Sequence, residues 1–177
     1  MTRRRVIFVA DDYWTNPPKE NPMTNLAATD CRRATALVVH YGNRNHDGTN
    51  AVLKEASDDG RVTEMILSVL GLFNSVIPQL HTDLGMACLS DTVLALAKDA
   101  ADTECRRASR LVAHYGNDNV DGINAVLTEA CDDNAVTPLI LGLLHLYYTV
   151  TPVVFTPVGM SALQQSVLDF AAREETT

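Results

Sequence analysis

Apolar residues recur at helical spacing through most of the chain beyond residue 26. Ala34, Leu37, Val38 and Tyr41 mark one face of a first helix running from about Leu26 to Tyr41. Gly42 stands where a helix end favours a left-handed residue. A loop over Asn43 to His46 then leads to Asp47, which the pattern makes the N-cap of a second, short helix. A third segment is apolar almost all round (Met65, Ile66, Leu67, Val69, Leu70, Leu72, Phe73, Val76, Ile77), which predicts the buried helix of the set. Thr63 is its expected N-cap, and Pro78, which lacks an N–H and disfavours helix before it, closes it. Thr82 caps a fourth helix, with Gly85 in its first turn as a place where another helix comes close.

The same pattern returns 74 residues later. Cys31-Arg32-Arg33-Ala34 reappears as Cys105-Arg106-Arg107-Ala108, and His40-Tyr41-Gly42-Asn43 as His114-Tyr115-Gly116-Asn117. Asp47-Gly48 and Asn50-Ala51-Val52-Leu53 return as Asp121-Gly122 and Asn124-Ala125-Val126-Leu127. Asp58-Asp59, Pro78 and Gly85-Met86 return as Asp132-Asp133, Pro152 and Gly159-Met160. About half of the positions from Cys31 onward match without a gap. Two exchanges support the helix starts: Thr63-Glu64 becomes Thr137-Pro138 and Thr82-Asp83 becomes Thr156-Pro157, and both Glu and Pro suit a first helical turn.

A repeat of this length sets the architecture. The expected fold is all-α, a tandem duplication of a four-helix unit forming a pseudo-two-fold bundle, the single-chain counterpart of a homodimer. The expected division is an N-terminal arm over 1–25, a first repeat over 26–103 and a second over 104–177. No Gly or Pro occurs between Met86 and Tyr115, so helix four of the first repeat runs towards helix one of the second, with a break near Asp102-Thr103. The arm holds Phe8, Tyr13, the only Trp (Trp14) and three prolines. It is expected to be a flexible arm or one laid along the bundle by its aromatics, with Arg3 to Val9 as a candidate edge strand. Lys19-Glu20 can be encoded by AAGGAG, a ribosome-binding sequence two codons ahead of Met23, which marks Met23 as an alternative start.

Composition narrows the function classes. The chain has 177 residues, 46% of them hydrophobic and 20% charged, which is globular composition. Its net charge of -8 speaks against a general nucleic-acid binder, which needs a basic footprint. The charge is +1 over the arm, -4 over the first repeat and -5 over the second, so neither repeat is a basic lobe. Four cysteines do not make a disulfide scaffold. The apolar run Val6 to Ala10 is too short for a signal core, and the longest apolar stretch, Met65 to Leu80, is interrupted by Ser68, Asn74 and Pro78. The expectation is a cytoplasmic protein with no membrane segment and no nucleic-acid partner.

Three constellations carry candidate chemistry. Asn43-x-Asn45-x-Asp47-Gly48 and Asn117-x-Asn119-x-Asp121-Gly122 imitate the first half of a calcium loop. The twelfth position, which needs a bidentate Glu, is Lys54 in one copy and Thr128 in the other, so helix capping is the better reading. Although a loop at Asp58-Asp59 that caps or precedes helix three is the better reading, Glu55 and Asp58, with Glu129 and Asp132, place carboxylates three apart on a helix face, a spacing that can hold Mg²⁺ beside a phosphate. This resembles the acidic helix motifs of all-α nucleotide pyrophosphohydrolases, which carry more acidic residues on two facing helices. The third set is Arg33, His40, Tyr41 and Asp47 with Arg107, His114, Tyr115 and Asp121, expected to contact a ligand or partner. Arg33 and His40 share a helix face, whereas Cys31 and His40 lie on opposite sides, which excludes a Cys–His pair within one helix. Paired arginines suit an acidic ligand, or carboxylates of the other copy. No zinc spacing, P-loop, GxGxxG or GxSxG is present.

These features lead to a non-enzymatic interaction or regulatory module with a protein partner, no cofactor, and room for further homodimerisation. The alternative is a ligand-binding or Mg²⁺-dependent phosphate-processing protein that uses the duplicated Glu, Asp and Arg positions.

Overall fold

The structure, a computed structural model, describes residues 27–174. The arm, its candidate strand and the Met23 start lie outside the described residues. Among the described residues the chain is all-α. Its helices are α1 (Ala28–Gly42), α2 (His46–Asp58), α3 (Val62–Leu80), α4 (Asp83–Asp99), α5 (Thr103–Gly116), α6 (Val120–Asp132), α7 (Val136–Val150) and α8 (Pro157–Glu174). A 3-10 turn over Pro152–Phe155 separates α7 from α8.

The fourth helix of each repeat starts as the sequence predicts. Thr82 Oγ1 accepts from the Gly85 N–H at 3.2 Å, and Thr156 Oγ1 from the Gly159 N–H at 3.4 Å. The break between α4 and α5 falls at Ala100–Asp102, where Asp102 caps α5 by accepting from the Cys105 N–H at 2.7 Å.

Other boundaries are corrected. Asp47 and Asp121 are not caps: Asn45 and Asn119 are, each accepting from a glycine N–H at 2.9 Å (Gly48 and Gly122). Asp47 and Asp121 sit in the first turns, where a carboxylate still favours the helix dipole. Thr63 and Thr137 lie inside the first turns of α3 and α7, because both helices begin one residue earlier. The left-handed residues are Arg44 (φ 55°) and Asp118 (φ 50°) rather than Gly42 and Gly116. A second left-handed pair, Gly60 (φ 66°) and Asn134 (φ 52°), ends α2 and α6, using the two residue types that tolerate that conformation best. Pro78 is contained within α3, whereas α7 ends before Pro152, which opens the 3-10 turn. The glycines of the fourth helices also differ. A Cβ on Gly159 would lie 2.3 Å from the Val154 carbonyl oxygen, an approach by the 3-10 turn, whereas one on Gly85 would meet nothing nearer than 3.4 Å.

By contact the chain forms two compact units, one over 74–146 and one combining 27–73 with 147–174. In the first, α4 packs on α5 and α5 on α6, around Met86, Val93, Leu111, Val126, Leu139, Ile140, Leu143 and Leu144. In the second, α1 packs on α8 and on α2, around Leu37, Val38, Ala56, Met65, Ile66, Leu70, Met160 and Leu163. Phe73 stacks on Tyr147 there, with centroids 3.6 Å apart. The main helix pairs are α1 with α8 in one unit and α5 with α4 in the other. Helix α3 is long and apolar enough to cross a membrane by length and composition alone; 44% of that window is buried inside the protein.

Candidate functional site

The residues singled out by the sequence gather in two places per repeat: a histidine beside the start of the second helix, and a buried arginine between the first and second helices.

His40, in the last turn of α1, points back at the turn that starts α2. The Asn45 Oδ1 accepts from the Gly48 N–H, so its Nδ2 faces His40 Nδ1, 3.1 Å away. That orientation makes Nδ1 an acceptor and puts the ring proton on Nε2. The ring lies against Gly48: a Cβ there would fall 2.3 Å from Nδ1. His114, Asn119 and Gly122 repeat the arrangement at 3.2 Å, and the Cβ distance is again 2.3 Å. Burial, with Arg110 adding like charge to the protonated form, holds the His114 imidazole below its ordinary value. Asn45 and Asn119 are thus occupied in capping, and Asp47 and Asp121 are exposed.

Arg33 is buried, 4% exposed, and spans α1 and α2. Its Nε donates to Glu55 Oε1 at 2.9 Å and its Nη2 to Asp59. Arg32 also donates to Glu55 Oε1, at 2.7 Å, and to Glu174 at the end of α8, at 2.9 Å. Arg107 does the same work in the other unit, with Glu129 at 3.0 Å, Asp133, and Glu104 at 2.8 Å. The second guanidinium on Glu129 comes from Arg110 at 2.7 Å, whose counterpart in the first repeat is Ala36. Each buried arginine therefore binds carboxylates of its own repeat. Burial alone would raise the Glu55 carboxyl; Arg32 and Arg33 outweigh it and hold the group below its ordinary value. Glu129 is also held low, chiefly by Arg110, with burial opposing and Arg107 adding.

The remaining acidic positions are dispersed. Asp58 pairs with Lys54, and Asp132 is exposed. Among the described residues no three His, Cys, Asp or Glu side chains converge as a metal site. Tyr41 meets Tyr148 edge-on at 6.5 Å, and Tyr115 is buried.

Sequence reasoning missed Arg32, Arg110, Asp30 and Arg61. Asp30 is fully buried and takes two hydrogen bonds from Arg61. Its counterpart Glu104 has Ala135 where Arg61 would stand, and Glu104 Oε2 is buried with no hydrogen-bond partner. The usable signal for Arg33 and Arg107 was the joint return of Arg, Glu and Asp at fixed separations in both repeats.

No family model, curated protein or solved structure matches the chain.

Proposed function

We propose that this protein is a non-enzymatic α-helical interaction module, built by duplication of a four-helix unit into a single-chain pseudo-dimer. The duplication is supported by the offset of 74 and by side-chain arrangements that recur at that offset: the His–Asn–Gly contact, the Arg–Glu–Asp cluster and the Thr cap of the fourth helix. The observation that carries the interaction reading is a pairing of opposites. Arg33 and Arg107 neutralise carboxylates within their own units, while matching positions at the start of each fourth helix, Leu84 and Val158, are 75% and 81% exposed. Large apolar side chains left exposed at the same position of both fourth helices offer an apolar contact that suits a protein partner better than a small polar substrate.

The test is affinity capture from the source organism with quantitative mass spectrometry, comparing the native chain with Leu84→Ser. One discrete protein partner, depleted at least several-fold by the substitution, is the expected result. Mg²⁺-dependent nucleotide turnover lost in the Glu55→Gln, Glu129→Gln double variant would replace this reading with the enzymatic one.

A further inference from the structure

The aromatic side chains are concentrated in one place. Beyond residue 26 the chain has seven Tyr and Phe residues, and five of them (Tyr41, Phe73, Tyr147, Tyr148 and Phe155) form a single cluster in the unit that contains α1. Phe73 is buried and stacks on Tyr147 at 3.6 Å and on Phe155 at 6.4 Å. On that base Phe155 meets Tyr148 at 4.9 Å, with planes tilted by 52°, and Tyr148 meets Tyr41 edge-on at 6.5 Å. Gly42 lets Phe155 lie over the end of α1, since a Cβ there would fall 2.8 Å from the Phe155 ring. The outer rings reach solvent: Tyr148 is 42% exposed, Tyr41 and Phe155 are half-buried, and Val153, in the same 3-10 turn as Phe155, is exposed. Only one copy of the sequence pattern carries this surface. At the 74-residue offset Tyr148 and Phe155 answer to Asn74 and His81, and Tyr41 answers to Tyr115, which is buried.

We infer that this aromatic surface binds the proline-rich part of the chain's own N-terminal arm, Tyr13 to Pro22, with Pro17 and Pro18 laid on Tyr148 and Phe155. The inference stands apart from the interaction reading above. Three observations select the arm as the occupant. The first is chemistry. Half-exposed aromatic rings set at angles to one another are surfaces that hold proline-rich segments, because proline rings pack on them and a polyproline chain has little conformational freedom left to lose. Of the seven prolines in the chain, Pro17, Pro18 and Pro22 fall within six residues of the arm, next to Tyr13 and Trp14. The second is reach. The arm joins α1 at its start, and Tyr41 lies thirteen residues along that helix from Ala28, about 20 Å away. Pro18 precedes Ala28 by ten residues, which span about 31 Å in polyproline form. A chain that turns back along α1 therefore brings Pro18 to Tyr41 with slack. The third is position: the surface occurs in the unit whose first helix the arm leads into, and its counterpart positions in the other repeat lack it. The arm carries +1 against -4 and -5 on the repeats, so net charge favours the contact. A short tether holds its segment at an effective concentration on the order of mM, which lets the arm occupy the surface ahead of any freely diffusing proline-rich chain at lower concentration.

The test is NMR spectroscopy of the full chain, with fluorescence of Trp14, the only Trp, to compare variants. In the native chain, nuclear Overhauser contacts are expected from the Pro17 and Pro18 rings to the Tyr148 and Phe155 rings, and they are expected to persist on dilution. Trp14 is expected to be quenched less by acrylamide than in the same chain unfolded in urea. Tyr148→Ser, and separately Pro17→Gly with Pro18→Gly, are expected to abolish those contacts and to raise Trp14 quenching towards its value in urea. Circular dichroism checks that Tyr148→Ser is folded, and the proline variant alters no described helix, so its effect reads docking alone. Leu168→Ser, at an exposed apolar position outside the cluster, is expected to change neither reading. A native Trp14 quenched as freely as in urea, or an arm whose contacts go to other residues, overturns the inference. Contacts that vanish on dilution assign the surface to the arm of a second copy and overturn the intramolecular occupant. Folded variants that keep the native contacts overturn the choice of surface. None of these outcomes bears on the capture experiment with Leu84→Ser, which judges the interaction reading separately.

Discussion

The His40 imidazole accepts a hydrogen bond from the Asn45 side-chain amide at 3.1 Å, and that amide in turn caps α2 through the Gly48 N–H. One side chain thereby joins the last turn of α1 to the first turn of α2. The same bond, between His114 and Asn119, joins α5 to α6. Gly48 and Gly122 are what allow the ring to lie so close to the next helix.

Replacing Gly48 or Gly122 with Ala is expected to destabilise the protein by about 1–3 kcal/mol, because the ring must move and its bond to Asn is lost. Alanine's helix propensity recovers only about 1 kcal/mol of this. In a His40→Ala background, Gly48→Ala should cost little or become favourable. Urea unfolding of the four members of this double-mutant cycle measures the coupling.

Matching glycines in the two fourth helices should respond with opposite sign. Gly159→Ala drives a Cβ against the Val154 carbonyl oxygen and is expected to cost about 2–3 kcal/mol. Gly85→Ala finds its nearest neighbour at ordinary contact distance and is expected to be neutral or stabilising by up to about 1 kcal/mol. Thermal melts of the two single variants distinguish these outcomes directly.

Removing a buried guanidinium leaves its carboxylates without their main partner. Arg33→Met and Arg107→Met are each expected to destabilise by about 1–3 kcal/mol, moderated because the carboxylates are partly hydrated. Lysine at either position should restore only part of the loss, since a point charge cannot serve Glu and Asp at once as the fork does. A full restoration by lysine in chemical denaturation would show that geometry matters less than charge here.

The acid limb of stability should have two phases. His114 has a lowered value in the fold, so the unfolded chain binds its proton first; stability is complete above pH 6.5 and declines as pH falls through that value. Glu55 and Glu129 are also lowered, so their contribution is present above about pH 4.5 and is lost as pH falls further. Unfolding free energy measured from pH 8 to 3 should show both declines. His114→Gln should flatten the upper one and leave the lower in place. An NMR titration should place His114 below 6.5.

Sequence alone determined the helices, because their signals are local. Periodic apolar positions, Thr before the fourth helices and the return of several motifs after 74 residues are all readable without a tertiary partner. It also pointed to Arg33, His40 and their copies as the polar residues to follow. Cap assignment at α2 and α6 missed by two residues: the pattern pointed to Asp47 and Asp121, whereas Asn45 and Asn119 cap, each through a glycine N–H. Tertiary structure alone decided the rest. That Arg33 meets Glu55 and Asp59, that Glu129 recruits Arg110 where Glu55 recruits Arg32, and that α1 lies on α8 while α5 lies on α4 all depend on which helix faces which. A hydrophobic stripe specifies that a helix is buried but not against what, because burial of apolar surface is non-directional. The helices were therefore legible in sequence, and long-range packing set α1 on α8 and α5 on α4.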